Sequence, residues 1–309
     1  MTAAITLPAG HGHESPGRRM WRRFLMHKLA VASAVFLALL ALIALAAPLS
    51  EALLGLDANR VDLLGRLAPP SWAHPFGTDE LGRDLFVRLS YGGQVSLAVA
   101  LAAAVFSAVI GTLVGLAAGY FGGRLDAFLM RFTDGVISLP LLPLLIVLVA
   151  IDLSKISIPS AWLESQHIAL YQIIIVIALF GWTTVARLVR AETLALKNRE
   201  FVRAAVALGA GGPRIIFRHI LPNAISPIIV ATTLSIGNII LLESVLSFLG
   251  LGIQPPIASW GNMLTNAQEL MWTSPALAVW PGLMIFLTVI AFNFLGDGLQ
   301  DALDPRALG

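Results

Sequence analysis

The chain contains no cysteine, which removes disulfides, thiolate metal sites and cysteine nucleophiles together. Charge is the second scarcity. Only 12% of the 309 residues are Asp, Glu, Lys or Arg, against roughly 25% in an average soluble domain. What remains could not solvate a water-soluble fold of this size. The composition therefore excludes an ordinary cytosolic enzyme, a disordered chain and a nucleic-acid binder. Lysine is nearly missing: Lys28, Lys155 and Lys197 are the only ones, and none follows a glycine. There is accordingly no G-x-x-x-x-G-K-[ST] phosphate loop, and any ATP energy must come from a partner. The histidines show no metal-ligand spacing within apolar runs. His11 and His13 form a pair without a third ligand, so no metal site is expected. No Ser–His–Asp set and no nucleophile elbow is found.

What the chain has instead is apolar length. Apolar residues make up 57% of it, and mean hydropathy is +0.83. A bilayer core of about 30 Å needs roughly 20 apolar residues in helix. Runs of about that length fall at Leu29–Leu49, Leu89–Gly123, Gly135–Ile151, Ile168–Ala186, Ile220–Leu242 and Leu270–Gly296. Six spans are predicted, the second centred on Val95–Gly119 and the third weakened by Pro140 and Pro143. Lys and Arg then orient the chain, because they concentrate on cytoplasmic segments. With the N-terminus inside, only Arg60, Arg66, Arg83, Arg88 and Lys155 fall outside, and the other fifteen of the twenty fall inside. Both termini are expected in the cytoplasm, with the first helix uncleaved because its apolar run is longer than a signal core.

Two loops carry patterns. In the first outer loop Thr78 can cap a helix, Leu81, Leu85 and Leu89 recur every four residues, and Asp84 and Arg88 are spaced for an i,i+4 pair. Either an amphipathic helix on the outer membrane face or a connector packed on the bundle fits. The segment between spans four and five holds seven basic residues. There Glu200–Leu208 reads as a helix with Asn198 as its cap, placing Phe201, Ala204, Ala205 and Leu208 on one face. Gly209 to Gly212 break it, and Pro213 suits the start of a second helix through His219. Ile215, Ile216 and Phe217 in succession cannot all face inward. Within the spans, Gly111, Gly115 and Gly119 form a small-residue stripe that permits close helix approach, inside this chain or to a second one. Glu243, Asn238 and Asn293 lie in or near spans. Glu243 is placed at the outer interface, near water, bonded to helix-end backbone. Asp152 and Lys155 are spaced for an exposed pair.

The stretch Arg203-Ala204-Ala205-Val206-Ala207-Leu208-Gly209, followed by Ile220-Leu221-Pro222, resembles the EAA loop of ABC-importer permeases. Arg203 stands at the motif's glutamate and His219 at its isoleucine, as in the peptide-importer branch. The segment His74–Asp84, the run Glu243–Gly252 with Ser259-Trp260-Gly261, and the ending Leu295–Arg306 resemble the C-type permeases of the dipeptide/oligopeptide/nickel family.

That resemblance implies an all-α integral membrane protein of the type I importer-permease fold, with six transmembrane helices and a cytoplasmic coupling helix-turn-helix. Its expected divisions are a tail at 1–28, a first helix at 29–49, an outer loop at 50–94, and a core at 95–297 containing the loop 187–221. A tail at 298–309 follows. It implies a prokaryotic inner-membrane, non-catalytic subunit that binds no cofactor. ATP and Mg belong to two ATPase partners, alongside a second homologous permease and an extracytoplasmic binding protein. The cargo implied is a di- or oligopeptide, with nickel-chelate or glutathione-like cargo within the same family. An ion-coupled secondary transporter is the reading from another class. The residues implied at the ATPase joint are Arg203, Ala204, Ala205, Gly209, Pro213, Arg214, Phe217, Arg218, His219, Ile220, Leu221 and Pro222.

Overall fold

The computed structural model describes residues 16–151 and 168–303. The His11/His13 pair and the Asp152/Lys155 pair lie outside the described residues. Helix α1 (Pro16–Met26) leads into α2 (Lys28–Leu45) and the short α3 (Ala47–Leu54). An irregular segment reaches α4 (Leu85–Phe121), which α5 (Gly123–Ser138) and α6 (Leu141–Val149) follow. Next come α7 (Ile168–Lys197), α8 (Glu200–Ala207) and α9 (Gly212–Ile215). The helix α10 (Leu221–Phe248), the single turn α11 (Ala267–Leu270) and α12 (Ala276–Leu303) complete the described order. Among the described residues five continuous stretches are long and apolar enough to cross a membrane, and α5 with α6 forms a sixth that is broken.

Several predicted boundaries move, each for a local reason. The predicted tail at 1–28 contains α1, and α12 runs on to Leu303 through the tail expected from 298. Gly298 lies against Ala30, and His27 Nε2 stands 3.6 Å from Asp301, so these ends are held by each other. Helix α7 continues eleven residues past Ala186 to Lys197, which shortens the expected loop. Its arginines are satisfied by α5: Arg187 pairs with Asp134 and Arg190 with Asp126, both at 2.5 Å. The third span is not straight. Helices α5 and α6 meet at 84°, because Pro140 disfavours helical geometry at Leu139, which is extended (φ −76, ψ 139).

The connector packed on the bundle is the form the outer loop takes, and no helix forms at Thr78. The Thr78 hydroxyl donates to Gly65 O (2.5 Å) and accepts from Ala68 N (2.8 Å). Asp79 Oδ1 accepts from the N–H groups of Leu81 and Arg83, both at 2.9 Å. This side-chain turn competes with helix for the same donors. The helix starts only at Leu85, with Asp84 accepting from Val87 N at 2.9 Å. Arg88 does not pair with Asp84 as spaced; its Nε lies 3.6 Å from Asp79, while Asp84 meets His74 at 3.0 Å.

The main core gathers Leu97, Val99, Ala100 and Ala103 of α4, Ile173 and Ile177 of α7, Ile236 and Ile240 of α10, and Ile285 and Phe292 of α12. The closest pairing is α4 along α7. A Cβ on Gly111 would stand 2.5 Å from Trp182 O, one on Gly115 2.6 Å from Ala186 O, and one on Gly119 2.6 Å from Thr193 Cβ. The stripe is spent inside this chain. Backbone on the facing helix cannot give way, so Gly115→Val should separate the two helices and cost about 1–3 kcal/mol or more. Gly135→Ala, which meets nothing within 4 Å, should be neutral. Thermal unfolding of the two variants in detergent checks the contrast.

Candidate functional site

The loop between the fourth and fifth long helices builds a two-faced element. Helix α8 ends because Gly209 turns left-handed (φ +84), and the N–H groups of Gly209 and Ala210 close back on Val206 and Ala205. Asn198 is not its cap: its amide donates to Leu194 O, and the cap position is Arg199. The second arm is not a separate helix that stops at Pro222. Helix α9 passes through a π turn (Ile216–Ile220) straight into α10. Pro222 explains the turn, since it has no N–H for Arg218 O and its ring would strike that carbonyl in a regular helix.

One face of this element is anchored. Val202, Ile215, Ile216 and Ile220 are buried against Leu116 of α4 and Val185 and Val189 of α7. Lys197 Nζ adds a bond to Tyr120 O at 2.5 Å. The other face is open: Phe201 is 44% exposed, Val206 55%, Phe217 59% and Leu208 90%. Arg203, Ala204, Pro213, Arg214, Arg218 and Pro222 are also exposed, and Ala205, His219 and Leu221 are half-buried. The predicted joint residues, Gly209 among them, are thus exposed or half-buried, except Ile220, which is fully buried. Val202, Ile215 and Ile216 are the supporting residues that motif matching passed over. Their apolar spacing alone does not say which neighbour they meet.

A cavity of about 630 Å³ lies farther along the same helices. Its walls include Ser107 of α4, Thr183 and Thr184 of α7, and Ser235 and Asn238 of α10, with Leu139 and Leu141 from the break between α5 and α6. Arg187 stands at one edge. The Ser107 hydroxyl is buried with no hydrogen-bond partner among the described residues. These uncharged donors and acceptors, together with Arg187, interrupt an otherwise apolar wall.

Toward the other end of α10, segments distant in sequence meet around Glu243. Glu243 is fully buried, not near water, and its partners are serine side chains rather than backbone. Its Oε2 accepts from Ser96 (3.1 Å) and its Oε1 from Ser247 (2.8 Å). Those serines in turn accept from the backbone N–H groups of Trp260 (3.2 Å) and Ile253 (3.1 Å). The Trp260 indole donates to Leu89 O at 3.1 Å, over the glycines Gly92 and Gly93. Beside it, Arg83 donates to Asp79 at 2.7 Å. Glu243 therefore ties α10, α4 and the segment after α10 together.

A bundle of membrane-length helices with a broken third span, a partly polar-walled cavity and a short helix-turn-helix between α7 and α10 fits a transport permease. The comparisons give the family. Residues 111–309 match the binding-protein-dependent transport system inner membrane component, and residues 15–70 match the N-terminal TM domain of oligopeptide transport permease C. The chain belongs to this family of ABC-importer permease subunits, and it is a multi-pass membrane protein. It is 41% identical over 304 residues to a putative peptide permease protein of Brucella suis biovar 1, covering 98% of this chain and 94% of that one. It is 40% identical over 307 residues to the glutathione transport system permease protein GsiD of Pectobacterium atrosepticum, covering 99% and 96%. In fold it is similar to the MetNI methionine ABC transporter in an inward-facing conformation, with TM-score 0.53 and 19% identity over 70% of this chain and 96% of that one. The type I permease fold follows.

Removing the hub at Glu243 should loosen this far end. Glu243→Ala leaves two buried hydroxyls and a void, and should lower stability by about 2–4 kcal/mol. Glu243→Gln keeps the shape and one acceptor oxygen and should fall between. The midpoint of thermal unfolding of the purified complex reports both.

Proposed function

We propose that this chain forms half of the translocation pathway of a peptide importer and docks a separate ATPase subunit on the open face of the α8–α9 element. The observation that carries the reading is that face: large apolar side chains exposed beside arginines, on a base buried against α4 and α7. A rigid base lets a partner's movement reach the spans, whereas a floppy one would dissipate it. The second half of the pathway is a homologous permease, a binding protein delivers cargo, and ATP with Mg is held by the ATPase pair. The chain itself is non-catalytic and needs no cofactor. Its arginine distribution supports both termini in the cytoplasm.

The cavity supports the cargo class. Serine, threonine and asparagine offer neutral hydrogen bonds suited to peptide groups, and among the described residues no carboxylate lines the wall. Relatives named as a putative peptide permease and a glutathione transport system permease support a peptide-like cargo, glutathione itself being a tripeptide. Alternating access then follows, with closure of the ATPase pair pulling the coupling element and opening the cavity to the binding protein.

Transport by the reconstituted complex with its cognate binding protein decides the cargo: labelled dipeptide uptake should be competed by di- and tripeptides and not by nickel complexes. For the joint, Phe217→Asp changes a side chain already 59% exposed, so the protein should fold. Peptide uptake should fall at least about tenfold while ATP hydrolysis persists. Gly209→Val places a β-branched residue at φ +84 and should uncouple in the same way. Parental uptake by both variants would remove the coupling reading.

A further inference from the structure

The first described helix was not expected from the sequence, and neither the coupling element nor the cavity uses it. Helix α1 reads Pro-Gly-Arg-Arg-Met-Trp-Arg-Arg-Phe-Leu-Met. At about 100° per residue, Arg18, Arg19, Arg22 and Arg23 fall within an arc of about 140°, and Met20, Trp21, Phe24 and Leu25 fill the opposite one. The apolar side is largely uncovered by this chain: Trp21 is 63% exposed and Leu25 50%, with Trp21 stacked on Phe24 at 5.9 Å between ring centroids. Arg18 and Arg19 are exposed as well.

Position says what meets these faces. Only His27 separates α1 from the membrane-length helix α2, and His27 caps that helix by accepting from Ala30 N at 3.1 Å. Helix α1 also packs against α2 and α12. It is therefore held at the depth where the apolar run begins, which is the membrane–water boundary. A helix there with one apolar and one strongly basic face lies in the interface and attracts anionic headgroups.

We propose that α1 is a binding surface for anionic phospholipid, its Met20–Trp21–Phe24–Leu25 face among the acyl chains and its exposed Arg18 and Arg19 on the phosphates. The surface serves to fix the first span and the packed end of α12 against the bilayer. This inference is independent of what the chain transports.

The test uses the whole complex in vesicles of equal parts phosphatidylglycerol and phosphatidylcholine. Because the chain has no cysteine, Leu25→Cys provides a single fluorophore site in it, with the partner subunits' cysteines replaced. Brominated phosphatidylglycerol should quench this fluorophore several-fold more than brominated phosphatidylcholine at the same mole fraction. Adding Arg18→Gln and Arg19→Gln should abolish that difference while both lipids still quench. Normal ATP-driven uptake by the labelled complex establishes that it is folded. Quenching by neither lipid would mean that a protein segment covers the face, and would overturn the proposal. Equal quenching by both lipids in the parent would overturn it too, as apolar anchoring without headgroup selection.

Discussion

The close approach of α4 and α7 over Gly111, Gly115 and Gly119 is the constraint on which the other features rest. With hydrogen in place of side chains, the two backbones touch, and such contacts hold helices together where no hydrophobic force distinguishes protein from lipid. The same two helices supply walls of the polar cavity and the base under the coupling element. A side chain at Gly111 or Gly115 would strike the carbonyls of α7 and force the two helices apart.

Polar groups are placed with the same economy. At one end Glu243 collects two serine hydroxyls that themselves bind the segment after α10. At the other, Arg187 and Arg190 of α7 reach the carboxylates of α5. Between them the cavity is lined by hydroxyls, an amide and Arg187, with no carboxylate among the described residues. Among the described residues these charged groups lie toward the two ends, with Arg187 also bordering the cavity.

Much of this was legible in the residues. Apolar runs located the long helices, Gly209 located the turn, and the succession Ile215, Ile216, Phe217 required one face in and one face out, which is what their burial shows. Other features were not legible because they depend on a partner distant in sequence. Thr78 reads as a cap until Gly65 and Ala68 are seen to occupy it. Glu243 reads as interfacial until Ser96, 147 positions away, closes over it. Val202 and Ile220 are ordinary apolar residues until α4 and α7 lie beneath them.

The sequence by itself determined the solvent, the number of membrane-length segments and the family motifs, because hydropathy and turn chemistry are local properties. Only the tertiary structure decided that the third span is broken at 84°, that the glycine stripe faces α7, and that Glu243, Ser96 and the Trp260 segment form one buried hub. It also decided which side of the coupling element is open. Each of these depends on which surfaces meet, and that is set by packing across the bundle rather than by any stretch of chain.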